Sequence, residues 1–164
     1  MNKYDELFKK YNCELNDAQV AKEVDSILEK HMAENMRSEV YKQCLNLIDL
    51  TSLNSTDTDE QIFNMVQKVN KFEESYPDIP NVGAICVYPN FVSTVKENLT
   101  EDIGIAAVAA GFPASQTFIE VKIAETSMAV MEGATEIDVV ISIGKFLSGD
   151  RKSTRLNSSH RIRY

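Results

Sequence analysis

From residue 45 onward the apolar positions gather into four short runs, each followed by a polar stretch whose apolar residues recur at helical spacing. The runs are residues 45–51 (LNLIDLT), 82–88 (VGAICVY), 103–110 (IGIAAVAA) and 136–142 (EIDVVIS). Their lengths are those of strands, and IGIAAVAA is apolar on both faces, as a buried parallel strand is. Thr58-Asp59-Glu60-Gln61 is a capping-box pattern that opens a helix bearing Ile62, Phe63, Val66, Val69 and Phe72 and ending before Pro77 and Pro80. Residues 90–99 form a short helix. Thr117-Phe118-Ile119-Glu120 reads as a second capping box, whose helix runs to about Met131 and closes at Gly133. Upstream, the pattern predicts a short helix over 4–11 and a longer one over 17–33. The longer one is capped by Asn16 or Asp17, with Val20, Val24, Ile27, Leu28 and Met32 on one stripe.

The alternation of strand and helix predicts a parallel α/β fold. An open doubly wound sheet and the first half of a (β/α)8 barrel, which typically takes about 250 residues, both satisfy it.

Strand parity brings chemistry into the pattern, because successive side chains point to opposite faces. In the first strand Leu45, Leu47, Asp49 and Thr51 share a face; in the second, Ala84 and Cys86; in the fourth, Glu136, Asp138, Val140 and Ser142. The branched apolar sets suit the face that helices cover. The other face collects Asp49, Thr51, Cys86 and Asp138, and acids on an inner face need partners or a task. The plainer alternatives are that the acids cap loops at strand ends and that Cys86 is a small core residue.

Composition narrows the function classes. The 164 residues carry a net charge of −8, but residues 150–164 hold five bases (Arg151, Lys152, Arg155, Arg161, Arg163) and one acid, so the remainder holds 12 bases and 24 acids, a net of −12. Such a body repels nucleic acid. No run approaches a membrane span, the charged first ten residues are no secretory signal, and Cys13, Cys44 and Cys86 fit no zinc or disulfide pattern. A cytoplasmic setting follows as the expectation. His31 and His160 are the only histidines, and His31 has no second ligand at helical spacing, which disfavours a Ser-His-Asp triad or a multi-histidine metal site. No glycine-rich phosphate loop is present.

The chain resembles the deoxyribose-phosphate aldolases. The resemblance rests on IDLTSL (48–53) followed by TDTDE, GAICVYP (83–89), GFP (111–113), KIAET (122–126) and GATEIDVVISIGKFLSG (133–149), in the family's order and spacing. It implies a partial (β/α)8 barrel over 45–149, a helical lead-in over 1–44, and a class I aldolase that needs no metal or organic cofactor. The reaction implied is cleavage of 2-deoxy-D-ribose 5-phosphate to D-glyceraldehyde 3-phosphate and acetaldehyde. Asp138 matches the family's proton-shuttling aspartate; Asp49, Thr51 and Cys86 match residues lining the substrate. The Schiff-base lysine of the sixth strand, its partner on the seventh and the late phosphate loops have no counterpart here. Lys68, Lys71, Lys96 and Lys122 fall on helices, where a solvated face is expected; Lys145 alone lies near the mouth. Residues 150–160 (DRKSTRLNSSH) read like a translated sequencing adapter, so a non-native, disordered tail is expected over 150–164, with a natural basic arm as the competing reading.

An inactive aldolase fragment is therefore the leading expectation. The alternatives are a short phospholigand-binding α/β domain and a half-barrel interaction module. The partners expected are a small phosphosugar and a second copy of the parent protein, with neither nucleic acid nor membrane.

Overall fold

A computed structural model of the chain describes residues 3–11 and 14–150. The chain divides into two compact units, Met1–Tyr41 and Lys42–Tyr164. The first holds α1 (Lys3–Lys10) and α2 (Asp17–Asn35), and α3 (Ser38–Asn46) runs across the division. Asn16 caps α2 in a full capping box with Gln19. The α2 stripe forms at the expected spacing, yet none of its residues is buried. His31 is exposed, with Nδ1 2.6 Å from Glu34 Oε1.

The second unit continues with β1 (Asp49–Thr51), α4 (Asp59–Asn70), α5 (Phe72–Ser75), β2 (Ala84–Val87), a 3-10 turn (Pro89–Phe91), α6 (Val92–Asn98), β3 (Gly104–Ala109), α7 (Ile119–Glu132), β4 (Glu136–Val139) and α8 (Ile143–Leu147). The four strands are all parallel, in the order β1-β2-β3-β4. Two observations separate the architectures that the sequence left open. A doubly wound sheet reverses its strand order at a switch point and carries helices on both faces. Here the order never reverses, and α4, α6 and α7 pack on one face. Ile62, Val66 and Val69 of α4, Val92 and Val95 of α6 and Ala129 of α7 bury against Ile85, Val87, Ile105 and Ala107. That is barrel geometry: an α/β fold of the (β/α)8 class with about four strand–helix units present.

Several local expectations change. The run 45–51 is not one strand: residues 45 and 46 finish α3, Leu47 and Ile48 make turn bonds to Cys44 O and Leu45 O, and pairing begins only at Asp49. Leu45 therefore packs into the helix-side core rather than beside Asp49. The helix after Thr58 breaks at Lys71 into α4 and α5. Its capping box is present, with Gln61 N–H donating to Thr58 Oγ1 at 3.3 Å. The second predicted box does not form: the N-cap is Phe118, and no side chain caps it. The Thr117 methyl instead packs against Gly111, where an added Cβ would lie 2.8 Å away. Gly133 closes α7 at φ 113°, the left-handed cap that glycine adopts without steric cost. Residues 151–164, expected to be disordered, lie outside the described residues.

Candidate active site

Register settles which side chains share the inner face, because paired residues of parallel strands point the same way. Asp49 aligns with Ala84 and Gly104; Thr51 with Cys86, Ala106 and Glu136; Val108 with Asp138. The four residues singled out by parity, Asp49, Thr51, Cys86 and Asp138, thus lie on one face, opposite the helices. Between them the floor is small: Ala84, Cys86, Ala106 and Val108 form a second buried cluster, bordered by Leu53, Tyr88 and Phe112 at the C-terminal ends of the strands. Small floor residues with larger side chains at the rim leave room for a ligand.

Cys86 is buried at the centre of this face. Burial pushes its thiol pKa up, the carboxylates of Asp138, Asp49 and Glu136 add to the rise, and a hydrogen bond with Thr51 opposes it. The thiol is therefore held protonated and is a poor nucleophile. Asp49 and Asp138 are exposed on the open face, so both carboxylates are available to solvent or ligand. Glu136, on the same parity but not singled out in the sequence, places Oε1 over Gly104, where an added Cβ would be 3.0 Å away. Among the described residues no cluster of His, Cys, Asp and Glu is arranged to hold a metal ion.

The solvated reading of Lys122 is wrong. Lys122 is 5% exposed, and its Nζ donates to Ser115 Oγ at 2.6 Å and to Ser142 Oγ at 2.8 Å. Burial lowers its pKa, and the nearby charge of Lys145 lowers it further. A signal was available: Lys122 lies seven residues before the buried Ala129, on the same stripe of α7. Lys68, Lys71 and Lys96 are exposed, as expected. A cleft of about 470 Å³, lined by Pro89, Ser93, Val121 and Met128 among others, opens on the helix side and shares no residue with the inner-face set.

The parallel sheet with helices packed on one face is the architecture of the (β/α)8 barrel class. Residues 44–164 match the family described as DeoC/LacD family aldolase, and the chain belongs to that family. It is similar to a Caenorhabditis elegans protein provisionally named a deoxyribose-phosphate aldolase, at 34% identity over 125 residues, covering 74% of this chain and 41% of that one. Two solved structures share the fold. One, from Coccidioides immitis, carries the same provisional name (22% identity, TM-score 0.58, covering 86% of this chain and 54% of that one). The other, from Aeropyrum pernix, is a deoxyribose phosphate aldolase described as tetrameric (23% identity, TM-score 0.55, covering 77% and 54%). The chain thus spans about half the length of these relatives.

Proposed function

We propose that this chain is the first half of a deoxyribose-phosphate aldolase that cleaves 2-deoxy-D-ribose 5-phosphate by Schiff-base chemistry. The observation that carries the reading is Asp138, exposed on the inner face beside a buried, protonated Cys86, within the longest family motif of the chain. In the reaction a lysine amine attacks the C1 aldehyde carbon and water leaves. The C3 hydroxyl then gives up its proton and the C2–C3 bond breaks, its electron pair passing into the iminium. This releases glyceraldehyde 3-phosphate and leaves an enamine that is protonated and hydrolysed to acetaldehyde. Asp138 moves the proton through water. Asp49 and Thr51 hold hydroxyls of the sugar, and Cys86 lines the site without reacting. The nucleophilic lysine belongs to a strand outside these 164 residues, so the chain by itself is inactive. No metal or organic cofactor takes part, and the work of such an enzyme suits the cytoplasm. Among the described residues no helix is long and apolar enough to cross a membrane.

Borohydride trapping with acetaldehyde, read by mass spectrometry, tests the inactivity; a trapped adduct on Lys145 with turnover would overturn it. When strands five to eight are supplied from a relative, activity should appear. Asp138→Asn should then lower it by roughly 10² to 10⁴, the usual contribution of an acid–base group. A variant with full rate would make Asp138 structural.

A further inference from the structure

α7 carries a lysine where its periodicity calls for a core residue. Lys122 forms no ion pair among the described residues; its ammonium donates to two serine hydroxyls. Burying an ammonium without a counter-charge is costly, and a methionine of similar volume would fill the space at lower cost. Stability therefore does not account for the residue. What methionine cannot do is donate.

A lysine ammonium has three donors and no acceptor. Ser115 and Ser142 both accept from it, so each must send its own proton elsewhere. Ser115 Oγ–H goes to Val140 O at 2.9 Å, and Ser142 Oγ–H goes to Ser115 O at 3.0 Å. The result is a one-directional network from α7, through the loop after β3, to the segment leaving β4. Ser115 holds φ 55°, a left-handed backbone that a non-glycine residue keeps only where its surroundings fix it. Glu125, one turn along α7, accepts the Gly111 N–H at 2.9 Å and ties down the other end of the loop. Between these two ties sits Phe112, packed on the inner-face cluster that contains Cys86. On the other flank β4 carries Asp138.

We propose that Lys122 is a positioning residue: by directing the hydroxyls of Ser115 and Ser142, its ammonium locks the β3–α7 loop to the end of β4 and fixes Phe112 and Asp138 relative to each other across Cys86. The catalytic meaning of Asp138 rests on the aldolase reading; the lock itself rests on these hydrogen bonds.

Hydrogen exchange with mass spectrometry on the full 164-residue chain tests the lock. Lys122→Met and Ser142→Ala should each speed exchange in residues 111–118 and 139–147 by about tenfold, the loss expected of one charge-assisted bond. Residues 49–51 and 84–87 should keep their rates. Ser142→Thr, which retains the hydroxyl, should behave as the unsubstituted chain. The double variant should exchange no faster than either single one, as groups acting as one unit do. Unchanged rates in both loops, additive effects in the double variant, or acceleration spread evenly over the sheet would each overturn the proposal. If Lys122→Met does not fold, the Ala and Thr variants at position 142 still decide it. An Asp138→Asn variant that keeps full rate in an assembled enzyme whose loops exchange slowly would count against the catalytic role of Asp138 alone.

Discussion

Replacing Gly83 by alanine should detach the first strand from the candidate site. A Cβ built at Gly83 lies 2.7 Å from the carbonyl oxygen of Asn46, about 0.7 Å inside the 3.4 Å limit of ordinary contact. That oxygen is backbone at the end of α3 and cannot rotate away. Gly83 N–H donates to Ile48 O at 2.9 Å, and Ala84 N–H approaches the same oxygen at 3.3 Å. The new methyl must therefore push residues 83 and 84 off the junction from which β1 hangs. Overpacking costs about 1–3 kcal/mol, and weakening the two bonds adds about 1 kcal/mol. The reduced entropy of the unfolded alanine chain returns about 0.5–1 kcal/mol. A net loss of about 1–3.5 kcal/mol is a large part of the roughly 5–15 kcal/mol that holds a domain together. β1 has three residues and among the described residues pairs only with β2, so it should fray first. Urea unfolding followed by circular dichroism should show a lower midpoint, and exchange at residues 48–53 should rise ahead of global unfolding. An unchanged midpoint with β1 still protected would refute the close approach, and with it the reason for a glycine at this position.

Two valines of equal chemistry compare the faces of the sheet. Val87→Ala, facing the helices, should cost about 2–3 kcal/mol, and Val108→Ala, in the smaller inner cluster, about 1–1.5 kcal/mol; equal losses in urea melts would contradict the assignment of the main core. Cys86 should alkylate with iodoacetamide far more slowly than exposed Cys44 at neutral pH, and Asp138→Asn should speed it by removing a charge that raises the thiol pKa. No change in that rate would place Asp138 away from Cys86. Lys122 has a folded pKa below its ordinary value near 10.4. The folded state therefore binds fewer protons than the unfolded one in that window, and stability contributed by Lys122 rises with pH toward about 10.4. Against Lys122→Met, the unsubstituted chain should gain ground between neutral pH and pH 10 in thermal melts, and a widening deficit would reverse the sign.

Much of this site is legible in the sequence because strand parity survives errors in strand length. The apolar run 45–51 is four residues longer than β1, yet Asp49 and Thr51 keep their face, since a shortened end does not shift alternation. Cys86 and Asp138 were placed the same way. What parity cannot supply is the partner across the fold. Lys122 touches Ser115 and Ser142, 7 and 20 residues away, and the two serines, 27 residues apart, touch each other; only tertiary packing joins all three. Lys122 looks solvated in the sequence because its charge masks its stripe position on α7. The second capping box failed for a related reason: Thr117 matches the pattern, but packing against Gly111 claims its side chain, and the helix starts one residue later.

The charge of the inner face also constrains what must complete it. Asp49, Glu136 and Asp138 all act on Cys86, so this half of the face is anionic around its centre. Carboxylates stabilise a nearby ammonium and so raise its pKa, which opposes the deprotonation that a Schiff-base amine requires. An amine brought opposite these acids would stay protonated unless a second cation stood beside it. The proposed aldolase chemistry therefore calls for two positive groups on the complementary strands, one to react and one to offset the acids. A chimera whose added strands carry only one lysine on the inner face should bind the phosphosugar yet form little trapped imine below about pH 9, and restoring the second lysine should bring trapping back toward neutral pH. Efficient trapping at neutral pH with a single lysine would show that the three carboxylates do not govern the amine.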